Sequence, residues 1–394
     1  MTTPLTDHAD RMSLQLARAS RLIADRTMQL DGLAGQVGHV SLPSPKDPAV
    51  GSLGDAVCAA ADLPIAFDLG DRPSAADEAL GAELIRALED ARARGETDGL
   101  GGAVAAWRRV DRAQLRRSQV VAEDGVVLDV VESGSESGPT VVLASACAMS
   151  DRLVAEWMRS LSGSIRCLTI ETRGTSGPLG DASAFDAMGA DVPNQAGDLI
   201  TVIENRADQP VHLMGLCGGA VNALYAAAAR PDLVGDLSLW HGDFELGGES
   251  AKTQHQQNLR ELLDSASTSR ATAAELRAIL AESPLAGVPA GLGPIVVRPY
   301  VHDELFYRYA RLTGATMHWD SRECIRQVHQ PTLVVTTLDD TTAHPDGSLA
   351  VAERLSHAAI EVQEHGTHLD AFTPSHHRRE LLESFLFSNR GDAR

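Results

Sequence analysis

"VHLMGLCGGAVNALYAAAARPD", residues 211–232, decides how the rest of the chain is read. A short apolar run leads into the Gly-flanked turn Gly215-Leu216-Cys217-Gly218-Gly219, and an Ala-rich segment of high helix propensity follows. The implied order is strand, tight turn, helix. That setting gives the pattern G-x-nucleophile-x-G its chemical meaning, because the turn exposes a nucleophile at the end of a strand. Small residues belong there, since the turn is strained and backbone passes close by. The helix N-terminus behind the turn favours an anion and so helps form a thiolate at Cys217. The Gly218 N–H is then one oxyanion donor. The same residues also fit a buried structural cysteine on a Gly-rich turn, so partners must be sought elsewhere in the chain.

A base is expected after the last strand, and "QEHGTHLDAF" (363–372) supplies one. Imidazole suits the task because it accepts and returns a proton near neutral pH. His368 is preferred over His365, since it lies further into the loop. His212, inside a strand, reads as structural, and His344, His376 and His377 read as surface residues. The acid is ambiguous. Asp340, or its neighbour Asp339, ends the strand-like "TLVVTTLDD", where Asp is also a common turn residue. Asp243 in "SLWHGDFELG" ends the preceding strand in a less turn-like context. The second oxyanion donor should lie in the loop after the first parallel strand. That loop is "ASACAMSDR" (144–152), which nominates backbone N–H groups near Ala146, Cys147 and Ala148. The Cys147 side chain itself reads as a small filler. Arg173 in "ETRGTSG" (171–177) reads as an anchor of its own loop.

Around these residues, strands and helices alternate. Two β-rich runs flank Asp124-Gly125, a hairpin signal. "TVVLASA" (140–146), "IRCLTIETRG" (165–174), "PVHLMG" (210–215), "VGDLSLWHGD" (234–243), "PTLVVTTLDD" (331–340) and "AIEVQEHG" (359–366) then read as strands separated by helical segments. The implied fold is α/β, a mostly parallel sheet covered by helices on both faces. Amphipathic helices interrupt the series between about 245 and 328 and read as a helical lid. The expected division is a helical N-terminal accessory region, 1–117, and a catalytic domain, 118–394. The Pro/Ser/Gly-rich "SLPSPKDPAVGS" (41–52) breaks the first part, which carries no nucleotide or metal motif and is the expected surface for a homodimer or another partner.

Composition narrows the partners. The 394 residues carry a formal net charge of -20, which argues against a nucleic-acid face and against docking on an anionic membrane. The five cysteines, Cys58, Cys147, Cys167, Cys217 and Cys324, are scattered and lack CxxC spacing. That pattern suits reduced cytoplasmic thiols, with neither a zinc site nor any other cofactor expected.

The elbow, "ETRGTSG", the acidic strand ends and "EHGTHLDAF" together resemble the α/β-hydrolase superfamily over about residues 118–390. Within it, the cysteine elbow is similar to the thioesterase-like Dieckmann cyclases of polyketide and peptide assembly lines. Their Cys–Asp–His triad, with the acid after the strand that follows the elbow, implies Cys217, Asp243 and His368 here. Polyhydroxyalkanoate synthases share the cysteine elbow too, as do the shorter dienelactone hydrolases. The helical N-terminal region departs from the stand-alone cyclases. The expected activity is acyl transfer from a carrier-protein or coenzyme A thioester through an acyl-Cys217, ending in cyclisation or transfer to a second nucleophile. Hydrolysis to a free acid, acyl polymerisation and an inactive scaffold are the alternatives.

Overall fold

The computed structural model describes residues 109–391 except 136, 177–178, 180–181 and 281–292; before them it describes 39–43, 59, 66–70 and 93. Two compact units divide the chain, residues 1–113 with 277–302 and residues 114–276 with 303–394. In the first unit, β1 (His39–Pro43) pairs in parallel with β2 (Ala66–Gly70). The break expected at 41–52 therefore begins inside a strand: Val40 and Leu42 suit a strand, and Pro43, lacking an N–H, ends it. Most of the helical N-terminal region expected over 1–117 lies outside the described residues.

The second unit opens with the hairpin β3 (Arg116–Val121) and β4 (Val127–Ser133), antiparallel around Asp124-Gly125. Residues 116 and 117, at the end of the expected helical region, are thus strand, because β4 pairs them. Then follow β5 (Thr140–Ala144), α1 (Ala155–Leu161), β6 (Arg166–Ile170), α2 (Ala182–Ala187), α3 (Val192–Arg206), β7 (Val211–Leu216), α4 (Gly219–Ala229) and β8 (Val234–Trp240). Helices α5 (Gln254–Ala266) and α6 (Arg270–Leu280) come next, with α7 (Gly293–Val297) in the first unit. The chain continues through α8 (Asp303–His318), α9 (Arg322–Gln327), β9 (Thr332–Thr337), α10 (Pro345–Arg354), β10 (Ala358–Gln363) and α11 (His376–Gly391). The sheet order is β10-β9-β8-β7-β5-β6-β4-β3, and only the pairings of β4 are antiparallel. The mostly parallel, helix-covered sheet expected from the sequence is present. No helix among the described residues is long and apolar enough to cross a membrane.

The helices carry the apolar stripes that such a sheet needs. In α3, Val192, Ala196, Leu199, Val202 and Ile203 are buried, and Asp191 caps its N-terminus by accepting from the Asn194 N–H. The alanines of α4 are buried nearly all round, so this helix can lie close to the sheet. Strand order reverses direction at β5 and β7. From β5 the chain moves to β6 on one side, and from β7 it moves to β8 on the other. Loops leaving those two strands diverge and open a crevice between them. Cys147 and Cys217 sit on these two loops.

Strand β7 is buried throughout, His212 included. The ring is held at both nitrogens, Nδ1 by Asp236 and Nε2 by Ser238 Oγ at 2.7 Å. This makes it structural, as its place inside a strand implied. His212→Leu is expected to cost about 3 kcal/mol or more, because it strands the 5 % exposed Asp236 carboxylate in the core. Urea titration checks this; the double variant with Asp236→Leu should regain most of the lost stability.

Candidate active site

Cys217 has the backbone of a nucleophile elbow. Its φ is 53°, in the left-handed region that non-glycine residues rarely adopt. Its N–H donates to Trp240 O at 3.0 Å, and its carbonyl accepts from the Ala220 N–H at 3.0 Å. These bonds tie the turn to β8 on one side and to the first turn of α4 on the other. The flanking glycines are dictated by contact. A Cβ on Gly215 would lie 2.5 Å from Ala220 Cα, and one on Gly219 would lie 2.1 Å from Ala144 O. Either would push α4 off the sheet.

The oxyanion candidates converge from both sides of the crevice. A Cβ on Gly218 would lie 3.5 Å from Cys147 Sγ and 4.0 Å from Cys147 N, which puts the two loops side by side. Ala146 adjoins this point in the same loop, and its carbonyl accepts from the Met149 N–H. Ala148 leaves the candidate set, because its N–H already donates to Thr172 Oγ1 at 2.9 Å. Helix α8 fixes the loop from above, with Thr313 Oγ1 donating to Cys147 O at 3.1 Å. The Cys147 thiol is more than a filler: it accepts from Asn222 Nδ2 at 3.4 Å. Burial pushes its pKa up to about 12, so it stays a thiol beside the Cys217 sulfur.

His368 opens the turn after β10, and its Nδ1 donates to Asp340 Oδ2 at 2.8 Å. Asp340 lies just past β9, and its other oxygen accepts from the N–H groups of Thr342 at 2.8 Å and Ala343 at 2.9 Å. Burial works against the charged carboxylate. The hydrogen bonds from His241 and His368 outweigh it and hold Asp340 well below the usual carboxylate range. Burial likewise works against a charged His368, but the Cys217 sulfur and Asp340 together raise it well above an ordinary histidine. His368 Nε2 is buried without a hydrogen-bond partner, and Cys217 is the group besides Asp340 that acts on the ring. The structure thus brings Cys217, His368 and Asp340 together.

Asp243, the acid implied by the cyclase resemblance, does not join them. Its carboxylate accepts from Gln256 Nε2 on α5, in a small polar recess shared with Lys252 and Arg260. The residue that reaches Asp340 from the β8 loop is His241, whose Nδ1 is 3.1 Å from Asp340 Oδ2. Asp339 forms an exposed pair with His365 instead, at 2.9 Å. His376 and His377 are exposed at the start of α11, and His344 caps α10. Arg173 anchors its loop through Asp198 at 2.8 Å and Asp124 at 2.7 Å.

His241 went unnoticed in the sequence, although it directly follows Trp240, the last residue of β8. Asn222 and Thr313 gave no signal, because they face the site from helices. The nitrogens of His241 and His368 and an oxygen of Asp340 lie within 4.8 Å of one another, a spacing that suits a metal ion. Both Nδ1 atoms share the same carboxylate oxygen, so the three side chains form a hydrogen-bonded relay.

The sequence matches no family model and no curated protein. Its fold does have solved counterparts. It is similar to a haloalkane dehalogenase, DbeA, from Bradyrhizobium elkani USDA94, with a TM-score of 0.56 and 15% identity over 71% of this chain and 100% of that one. An esterase from Exiguobacterium antarcticum matches with a TM-score of 0.51 and 18% identity, over 69% of this chain and 99% of the other. An enol-lactonase from Burkholderia xenovorans LB400 matches with a TM-score of 0.51 and 15% identity, over 70% and 100%. The chain has the α/β-hydrolase fold.

Proposed function

We propose that this protein is a cysteine-dependent acyl-transfer enzyme acting on a thioester of a carrier protein or coenzyme A. The observation that carries the reading is the left-handed Cys217 turn facing a His368 that Asp340 holds. His368 Nε2 takes the Cys217 proton, and the sulfur attacks the acyl carbonyl. The N–H groups of Gly218 and Cys147 stabilise the oxyanion. His368 returns the proton to the departing thiol, leaving an acyl-Cys217. A second nucleophile gives its proton to His368, attacks the acyl carbon and expels the Cys217 sulfur.

Sulfur favours transfer over hydrolysis. Exchange of one thioester for another is nearly neutral in free energy, and the acyl-cysteine stays reactive toward carbanions, amines and thiols. Ring closure of the Dieckmann type within an assembly-line product fits this best. Helix α8 supports it by covering the crevice: Arg308 donates to Gly174 O at 2.7 Å, and Gln195 donates to Leu312 O at 3.0 Å. Hydrolysis is the second reading and uses the same residues, with water as acceptor. The test is incubation with a panel of acyl thioesters, followed by intact-mass and product analysis. The expected result is an acyl adduct and a ring or transferred product in excess of free acid. Free acid alone would establish the thioesterase reading.

A further inference from the structure

We propose that His241 is a positioning residue that shares the Asp340 carboxylate with His368 and so sets how strongly His368 holds a proton in the acyl-enzyme. The inference rests on the acyl-Cys217 reading above.

His241 is an expensive residue for its place. Its φ is 47°, a backbone that suits glycine or asparagine. It is 1 % exposed, and its Nε2 is buried without a hydrogen-bond partner. An apolar side chain would avoid the orphaned nitrogen, and a glycine would avoid the strain. What histidine supplies instead is one hydrogen bond, Nδ1 to Asp340 Oδ2. That oxygen also accepts from His368 Nδ1, with the two rings 5.8 Å apart and nearly perpendicular. Conserving the bond at two costs points to a use within the relay.

The surrounding charges keep His241 a neutral donor. Burial first, and then the charges of His368 and of Arg378 on α11, oppose its protonation, while Asp340 alone favours it. Arg378 is itself paired with Asp370 at 3.2 Å. His368 faces Cys217 from the elbow, Asp340 from the β9 loop and His255 from α5. With Cys217 free, the sulfur helps hold the proton on His368. Acylation turns that sulfur into a neutral thioester, and Asp340 becomes the main group holding the proton. A second donor on Oδ2 weakens that hold. His368 is then a free base for the second nucleophile at lower pH than it would be with Asp340 to itself.

The test compares H241N and H241L. Asn places an amide N–H at the same bond count from Cα as Nδ1 and accepts a left-handed backbone; Leu matches its shape without a donor. Acyl-enzyme is trapped with an acyl thioester, and its decay is followed by intact mass as a function of pH. In H241L, the acid limb of decay should move up by about half to one pH unit, with the adduct still forming. H241N should restore the limb. If H241L does not fold, H241G removes the donor while relieving the backbone. A limb that stays put or moves down in the donor-less variant, or an H241N indistinguishable from it, overturns the proposal, since a purely structural role would lower rates evenly across pH. Absence of any adduct on the unmodified protein would instead overturn the acyl-enzyme reading itself.

Discussion

Replacing Cys217 with alanine is expected to abolish acyl-adduct formation and to lower kcat by about 10⁵-fold, the scale at which loss of a nucleophile disables a triad. The fold should survive. Alanine at φ 53° strains the turn no more than cysteine does, and the Trp240 and Ala220 bonds use only backbone atoms. Serine is the sharper variant, because it keeps an attacking oxygen in nearly the same place. Without the sulfur, one of the two partners that hold the proton on His368 is gone. Acylation should slow, and acyl groups that do load sit on oxygen as esters. Such esters resist attack by carbanions and amines more than a thioester does, so the ratio of free acid to ring or transferred product should rise. Chromatography of products from the native protein and Cys217→Ser reads that ratio directly. An unchanged ratio would remove the link between sulfur and transfer.

The fold was legible because a parallel sheet writes itself as short apolar runs. Strand β7 is buried at every position, and β9 likewise, so both read as continuous hydrophobic segments. The elbow was legible because its glycines are forced by backbone contacts at Ala144 and Ala220. The position of His368 after the last strand also follows from chain order. What the sequence could not disclose is direction. Asp243 and Asp340 both follow core strands, and spacing alone does not say which loop turns its carboxylate toward the histidine. That depends on Gln256, thirteen residues beyond Asp243 on a different element, which draws that carboxylate away. His241, masked between a tryptophan and a glycine, gave no sign that it shares Asp340, because the partner lies 99 residues further along. Polar relays assembled from three loops leave little trace in local sequence.

The acid assignment yields the second large effect. Asp340→Asn should lower kcat by about 10³ to 10⁴-fold, roughly 4 to 5.5 kcal/mol of barrier, while Asp243→Asn should stay within about tenfold of the native protein. The reason lies in who donates to whom. Asp340 Oδ1 accepts from two backbone N–H groups, so an asparagine must keep its carbonyl oxygen there. Its NH₂ group then occupies the Oδ2 position and meets the Nδ1 atoms of His368 and His241. Two donors cannot face each other, so His368 must shift its proton to Nε2. An Nε2 that already carries a proton cannot take one from Cys217, and the imidazolium also loses its counter-charge. Asp243→Asn faces no such conflict: its side-chain oxygen still accepts from Gln256 Nε2, and Gln256 keeps its own acceptor bonds with the Thr253 and His344 N–H groups. Steady-state turnover of the two variants against one acyl thioester measures the contrast. A large loss in Asp243→Asn with little in Asp340→Asn would return the acid to the β8 loop and require the relay around His368 to rearrange on substrate binding.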